Sequence, residues 1–128
     1  MRIVAGTHKG RKINPQNNLT VRPTTDRAKE ALFSIIDSRY SFIRKNMLDL
    51  FSGTGNIALE FASRGTEKAV AVDNNTNCVT FIENTAKNFS LNVSVIQSDG
   101  LKFAQNCKEQ FNFIFADPPY NYKKYQKL

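Results

Sequence analysis

Met47-Leu48-Asp49-Leu50-Phe51-Ser52-Gly53-Thr54-Gly55 is the stretch whose reading decides the fold of this chain. Met47, Leu48, Leu50 and Phe51 make a buried strand that breaks into a glycine turn and feeds a helix from about Asn56. Gly53 and Gly55 let the backbone come close to a ligand where a Cβ would stand in the way. The helix behind them aims its free N–H groups and positive dipole end at that ligand, so the turn favours a carboxylate or phosphate. A lone Gly-x-Gly is a weak signal. A strand before it, a helix after it and an acid, Asp73, twenty residues past Gly53 make it a strong one.

Downstream the pattern alternates. Ile57, Ala58, Phe61 and Ala62 form a helical face that Gly65 ends. Ala69 to Val72 is an apolar, β-rich run closed by Asp73, and Val79, Ile82, Ala86 and Phe89 space out a second helix. Val93 to Ile96 is a third strand ending at Gln97-Ser98-Asp99; Leu101 to about Asn106 is a short helix, and Phe111 to Ala116 a fourth strand. Apolar strands alternating with amphipathic helices predict an α/β fold with a parallel sheet covered on both faces.

Upstream the chain changes character. Residues 1–27 hold six cations (Arg2, Lys9, Arg11, Lys12, Arg22, Arg27) against one acid, giving +5 of the overall +7. That imbalance draws the N-terminal part toward polyanions, although a basic N-terminus is often only solvated. Arg2 to Ala5 and Arg11 to Ile13 predict a small hairpin around Gly6–Gly10 with basic side chains at its tip and edges, and a third extended piece runs through Leu19 to Arg22. Thr24 or Thr25 caps a helix whose apolar stripe is Ala28, Ala31, Leu32, Ile35 and Ile36, with Arg27, Lys29 and Glu30 off it. Residues 37–45 follow as a polar connector anchored by Phe42 and Ile43. The division expected is residues 1–40, a basic hairpin and helix, and residues 41–128, the core. Two distant cysteines, Cys78 and Cys107, fit a reducing cytosol as small core residues. The single His8 argues against a metal site or a histidine-based triad. No apolar run reaches the ~20 residues of a membrane span, and no signal-peptide pattern is present, so a soluble, cytoplasmic protein is expected.

The chemistry gathers at the carboxyl ends of the strands, where ligands of such sheets bind at the reversal of strand order. The glycine turn follows the first strand. Asp73 ends the second and can accept ribose hydroxyl protons. Asp99 follows the third and can accept from an adenine amino group, or else caps a helix. Asp117-Pro118-Pro119-Tyr120 follows the fourth. Its prolines stiffen the turn and cannot donate. The Asp117 carboxylate and the Pro118 carbonyl can together hold the two protons of an exocyclic amine while Tyr120 stacks on its base. Holding a weakly nucleophilic amine in line and absorbing the proton it later loses is a task of positioning and electrostatics.

These residues carry a resemblance. Asp49 to Gly55 with Asp117-Pro118-Pro119-Tyr120 resembles the class I S-adenosylmethionine-dependent methyltransferases acting on exocyclic amino groups. Met1-Arg2-Ile3-Val4-Ala5-Gly6, Lys9-Gly10-Arg11-Lys12-Ile13 and Arg22-Pro23-Thr24-Thr25-Asp26-Arg27 leading to Glu30-Ala31-Leu32-Phe33 resemble the bacterial 16S rRNA (guanine-N2)-methyltransferases over essentially the whole chain. The resemblance implies a Rossmann-like sheet and S-adenosyl-L-methionine held by Asp49, Phe51, Ser52, Gly53, Thr54, Gly55, Asp73, Asn74, Asp99 and Gly100. It implies Asp117, Pro118, Pro119 and Tyr120 as the catalytic turn. Arg2, Lys9, Arg11, Lys12, Arg22 and Arg27 would face 16S rRNA in the small ribosomal subunit, with the target guanine flipped out of its stack. No metal and no membrane partner is implied.

Two departures stand out. Asn75 lies where the family often has a second acid. The family's sheet also continues beyond the fourth strand whereas this chain ends at Leu128, so a truncated protein with an exposed apolar edge at Phe111 to Ala116 is expected. The full family fold implies a monomer; the open edge makes self-association an alternative. Two other functional readings stand beside the first: a DNA amino-methyltransferase (adenine N6), which shares Asp-Pro-Pro-Tyr, and a fragment that binds cofactor or RNA without turnover.

Overall fold

The computed structural model describes residues 1–15, 25–119 and 122. The expected extended piece Leu19 to Arg22, Arg22 itself, the alternative cap Thr24 and Tyr120 lie outside the described residues.

The element order is α1 (Asp26–Arg39), β1 (Asn46–Asp49), α2 (Asn56–Ser63), β2 (Lys68–Asp73), α3 (Thr76–Phe89), β3 (Val93–Gln97), α4 (Gly100–Asn106) and β4 (Phe113–Phe115). The strands form one parallel sheet in the order β3-β2-β1-β4. Parallel pairing demands a crossover after each strand, and α2, α3 and α4 supply it. Successive side chains of a strand alternate between faces. Met47, Ala69, Ala71, Val93, Val95, Phe113 and Phe115 therefore meet Phe33 of α1, Phe61 of α2 and Ile82 of α3 on one face. Leu48, Leu50, Val70 and Val72 meet Phe51, Phe103 and Phe111 on the other.

Burial on both faces holds only for the central strands. β1 and β2 are buried, whereas β3 and β4 are the edges of the described sheet and alternate between half-buried and exposed. Strand β4 is shorter than the expected Phe111–Ala116, and its middle residue Ile114 is 62% exposed. Among the described residues β4 pairs with β1 alone, so the described sheet has the apolar edge there that the sequence predicts.

The N-terminal hairpin is held by the Arg2–Lys12 bridge and by Ile3 N–H to Arg11 O, Gly10 N–H to Ile3 O and Ile13 N–H to Met1 O, all within 2.9 Å. Ile3 and Ile13 turn inward onto Leu59 of α2 and Ala86 of α3; Arg2 and Lys12 stay outside. The hairpin lies along both helices. Met1 reaches the start of α2, where Thr54 Oγ1 donates to its Sδ at 3.7 Å. The turn lies at the far end, where Thr7 N–H donates to Ser63 O and His8 stacks on Phe89.

Helix α1 starts at the expected cap, Thr25, whose hydroxyl accepts from Ala28 N–H. Its inward face differs from the expectation. Phe33 and Lys29 are fully buried, Leu32 and Ile36 partly so, while Ala28, Ala31 and Ile35 are exposed. The helix is turned by about one residue because Phe33, the bulkiest apolar residue on it, takes the centre: its ring lies 4.9 Å from Phe61 and 6.1 Å from Phe42. Burying one phenylalanine outweighs burying two alanines. Lys29 can follow it inward because its charge is matched. Its Nζ donates to Glu60 Oε1 (2.9 Å), Asn56 Oδ1 (2.6 Å) and the Arg2 carbonyl (2.9 Å). The connector then has one anchor, Phe42, packed on Phe61 and Phe113, while Ile43 is exposed and lies across Gly65.

Candidate active site

β1 is the pivot of the sheet, with β2 and β3 to one side and β4 to the other, so the strand order reverses between β1 and β4. Asp49 ends β1 opposite Phe115, and Leu50 N–H donates to Phe115 O at 3.0 Å. The turn after β1 and the turn after β4 consequently leave the same edge of the sheet side by side.

Asp49 is the most unusual residue there. It is 1% exposed, and neither carboxylate oxygen has a hydrogen-bond partner among the described residues. Burial pushes its carboxyl up to about 7, the charges of Asp73 and Asp117 add to the rise, and the nearby Phe51 N–H and Ser52 hydroxyl only temper it. A buried carboxylate without a donor is costly, and a cationic group brought beside it would remove that cost.

Around Asp49 the turn is rigidly built. Ser52 N–H donates to Val72 O and its hydroxyl to Asp49 O; Gly55 N–H donates to Ser52 O. Gly53 and Gly55 have φ of 57° and 78°, the left-handed region that glycine occupies without strain. A Cβ on Gly55 would run into Ile82 of α3. Whereas α1, α3 and α4 begin with the side-chain caps Thr25, Asn75 and Asp99, α2 begins at Gly55 with none. Asp73 reaches across to this turn: one oxygen accepts from Gly53 N–H (2.8 Å), the other from Asn75 N–H (2.9 Å). The residue read as a ribose acceptor is thus also the clamp that sets the glycine turn. Asn75, the departure from the family pattern, caps α3 by accepting from Cys78 N–H. Asn74 uses its carbonyl to accept from Gln97 Nε2.

Asp99 takes the second of the two roles expected for it, that of a helix cap. It caps α4 through Lys102 N–H at 3.1 Å, and its other oxygen accepts from Tyr122 Oη at 2.7 Å. Burial and the Asp99 charge raise the Tyr122 hydroxyl above its ordinary range. The Tyr122 ring stands edge-on to Phe51 at 5.0 Å. Gly100 packs on the Leu50 carbonyl and the Phe51 ring, leaving no room for a side chain. The sequence reading missed Tyr122, which lies two residues past the Asp-Pro-Pro-Tyr motif. Asp117 and Pro119 are exposed and Pro118 half-buried. The Pro119 carbonyl accepts from Tyr122 N–H at 2.9 Å, which pins the turn.

The basic residues are less convergent. Arg2 is paired with Glu30 at 3.0 Å and Asp26 at 3.9 Å. Arg11 lies 4.5 Å over the Phe89 ring, and Lys9 sits in the hairpin turn at the end of the helices away from Asp49. Lys12 and Arg27 are exposed. Among the described residues no cluster of His, Cys, Asp and Glu could hold a metal ion, and no helix is long and apolar enough to cross a membrane. Cys78 is buried, its thiol pushed up to about 11 by burial and by Asp73, and Cys107 is free.

The residues present fit a cofactor with a cationic amino-acid end. A pH dependence follows from Asp49. Below about 7 its carboxyl holds a proton that must leave before it can face an ammonium. The affinity for a ligand whose ammonium group meets Asp49 should rise by up to about tenfold per pH unit below that value and level off above it. The raised value also means that the free protein loses stability as pH climbs from 3.8 toward 7, and bound cofactor should restore it. Calorimetry between pH 5.5 and 8.5, with Asp49→Asn as control, checks this; an affinity that is flat in the wild type overturns it.

Comparison with known proteins agrees with the geometry. The family model described as "Conserved hypothetical protein 95" matches residues 1–128. "Putative rRNA methyltransferase YlbH" of Bacillus subtilis is 33% identical over 133 residues, covering 100% of this chain and 71% of that protein. "Ribosomal RNA small subunit methyltransferase D" of Escherichia coli K12 is 31% identical over 126 residues, covering 94% of this chain and 60% of that protein. A solved Escherichia coli structure, "Putative methyltransferase yhhF", superposes with a TM-score of 0.82 at 26% identity over 94% of this chain and 65% of that one. The chain therefore spans between 60% and 71% of the length of these relatives. It belongs to the conserved hypothetical protein 95 family, in which it stands beside relatives named as rRNA methyltransferases.

Proposed function

We propose that this chain carries the cofactor and target-base sites of an S-adenosylmethionine-dependent methyltransferase that modifies the N2 amino group of a guanine in 16S rRNA of the small ribosomal subunit. The observation that carries the reading is the buried, partnerless Asp49 between Asp73 of one turn and the Asp117 turn of another. A cation-seeking site thereby adjoins an amine-holding one.

Bound there, the cofactor would supply an electrophilic methyl group on a sulfonium. The chain's own residues do the rest. Gly53 and Gly55 keep side chains away from the bound group, Asp49 faces its ammonium, Asp73 holds the turn and the ribose, and Asp99 takes the adenine amino group. Asp117 and the Pro118 carbonyl accept the two N–H groups of the guanine amine, which aims its lone pair and gives the proton that it finally loses a nearby carboxylate. With the Pro119 carbonyl taken by Tyr122 N–H, the Pro118 carbonyl is the one this reading assigns to the amine.

The test is methyl transfer from labelled cofactor to small subunits lacking the modification, followed by nucleoside analysis. N2-methylguanosine is the expected product. Recovery of N6-methyladenine alone, or transfer to duplex DNA and not to subunits, overturns the assignment. Cofactor binding without any transfer would mark this chain as a binding unit and not a complete catalyst.

A further inference from the structure

Away from Asp49 and Asp117 the described residues hold a groove of about 440 Å³ between the returning arm of the hairpin and α3. Lys12, Ile13 and Asn14 form one wall. The other is a single face of α3, where Asn77, Thr80, Phe81, Asn84, Thr85, Asn88 and Phe89 recur at steps of three and four residues.

The composition of that face is not what helix stability selects. Asn77, Asn84 and Asn88 are exposed positions in a 14-residue helix, where Lys, Glu or Gln would support the helix better. None of the three amides, nor that of Asn14 opposite, hydrogen-bonds to another described residue. Thr85, in contrast, is spent on the Phe81 carbonyl. The three α3 amides on one wall and that of Asn14 on the other, interleaved with Ile13, Phe81 and Phe89, offer donors, acceptors and apolar surface together, the combination that reads the edges of unpaired bases. Local preference gives way here without a gain in packing, which marks a functional surface.

Charge fixes what the amides meet. Among the described residues no carboxylate lines the groove: Glu83, the single acid of α3, is not one of its lining residues. Lys12 does line it, and at its lower end the Arg11 guanidinium covers Phe89. The hairpin, residues 1–15, contains four cations and no acid. The upper end opens at Asn77, two residues from the Asn75 cap whose N–H is held by Asp73. From Asn77 to Phe89 α3 rises about 18 Å, so the groove is a track between the edge of the sheet that holds the cleft and the basic hairpin turn.

We propose that this groove binds a single-stranded segment of the RNA substrate, with Lys12 and Arg11 on its phosphates and Asn14, Asn77, Asn84 and Asn88 on its base edges. The proposal rests on the rRNA reading above and adds a second contact, remote from the methyl-transfer cleft. It also accounts for how basic residues that do not converge on Asp117 contribute to substrate binding: they line the outer end of a path that reaches the cleft edge.

The test uses the full chain with small subunits lacking the modification and, separately, a fluorescein-labelled 12-nucleotide single-stranded RNA of mixed sequence. Asn84→Asp/Asn88→Asp places two carboxylates in the groove and should weaken RNA binding about tenfold or more at 100 mM salt, with cofactor affinity within twofold of wild type. Lys12→Gln should lower the slope of log affinity against log salt by about one. Because a charged helix face can unsettle folding, Asn84→Ala/Asn88→Ala is the second variant. It raises helix propensity, so it should raise Tm while weakening RNA binding, a pairing that a merely structural role cannot produce. RNA affinity within twofold of wild type in both double variants, alongside intact methylation of subunits, sinks the groove and leaves the methyl-transfer reading standing. A wild-type chain that binds duplex DNA but neither RNA probe overturns both.

Discussion

Asp117→Ala should lower methyl transfer to small subunits by about a thousandfold, the scale of losing one positioned acid–base group. Cofactor affinity should change by less than about threefold. The asymmetry follows from where the residue sits. Asp117 is an exposed side chain on a proline-stiffened turn, and it touches the cofactor turn only through the field it exerts on Asp49. Removing it even relieves part of the repulsion that raises the Asp49 carboxyl, so binding at neutral pH should be as good or slightly better. Asp73→Ala should do the reverse. It strips the acceptor from Gly53 N–H and Asn75 N–H together, which loosens the glycine turn as well as the ribose contact. Calorimetry and single-turnover transfer on the two variants separate these effects. Equal loss of cofactor binding in both contradicts the division of roles.

Asp117→Asn refines the same experiment. The amide keeps one acceptor for the guanine amine but cannot take its proton and brings two donors of its own. If Asp117 only holds the amine, Asn should recover a good part of the activity that Ala loses. Should it also take up the proton, Asn stays near Ala. Activity near wild type in Asn would reduce Asp117 to a spacer in the turn.

How much of this was legible in the sequence depended on whether a contact is local. The Met47–Gly55 stretch declared a strand, a glycine turn and a helix start through neighbours in the chain, and the acids that close β2 and β3 were visible at the ends of apolar runs. Asp49 could be placed at the site, but not its isolation: that neither oxygen finds a donor is a property of how β1 is flanked by β2 and β4. The stripe on α1 went astray for a related reason. Periodicity counts apolar residues as equals, whereas packing gave the centre to Phe33 and drew Lys29 in behind it. No sequence rule makes a lysine a core residue. Its acceptors, Glu60, Asn56 and the Arg2 carbonyl, come from two other segments.

Lys29→Met should destabilise the fold by about 3–5 kcal/mol, the range for removing one partner of a buried ion pair. Lys29 and Glu60 are both wholly inaccessible. Burial alone would push the Glu60 carboxyl up, but the Val4 N–H, Lys29 and Arg64 together hold it below the usual carboxylate range, so Glu60 is ionised. Burial pulls Lys29 down and Glu60 opposes it. Three acceptors around one Nζ use all three protons of an ammonium, which a neutral amine could not supply, so the pair is charged on both sides. Methionine fills the volume and leaves Glu60 with a charge that Arg64 Nε and the Val4 and Ala5 N–H groups satisfy only in part. The damage should not stay in the core. Val4 and Ala5 belong to the hairpin that ends against Thr54 of the glycine turn, so loosening it frees one side of the cofactor site. Glu60→Gln, which keeps an acceptor and removes the charge, should cost less than Lys29→Met, and the double variant less than the two single effects added. Urea denaturation of the four proteins supplies the cycle; a Lys29→Met loss below about 1 kcal/mol, the level of an exposed pair, would show that this ion pair does not fasten the hairpin to α2.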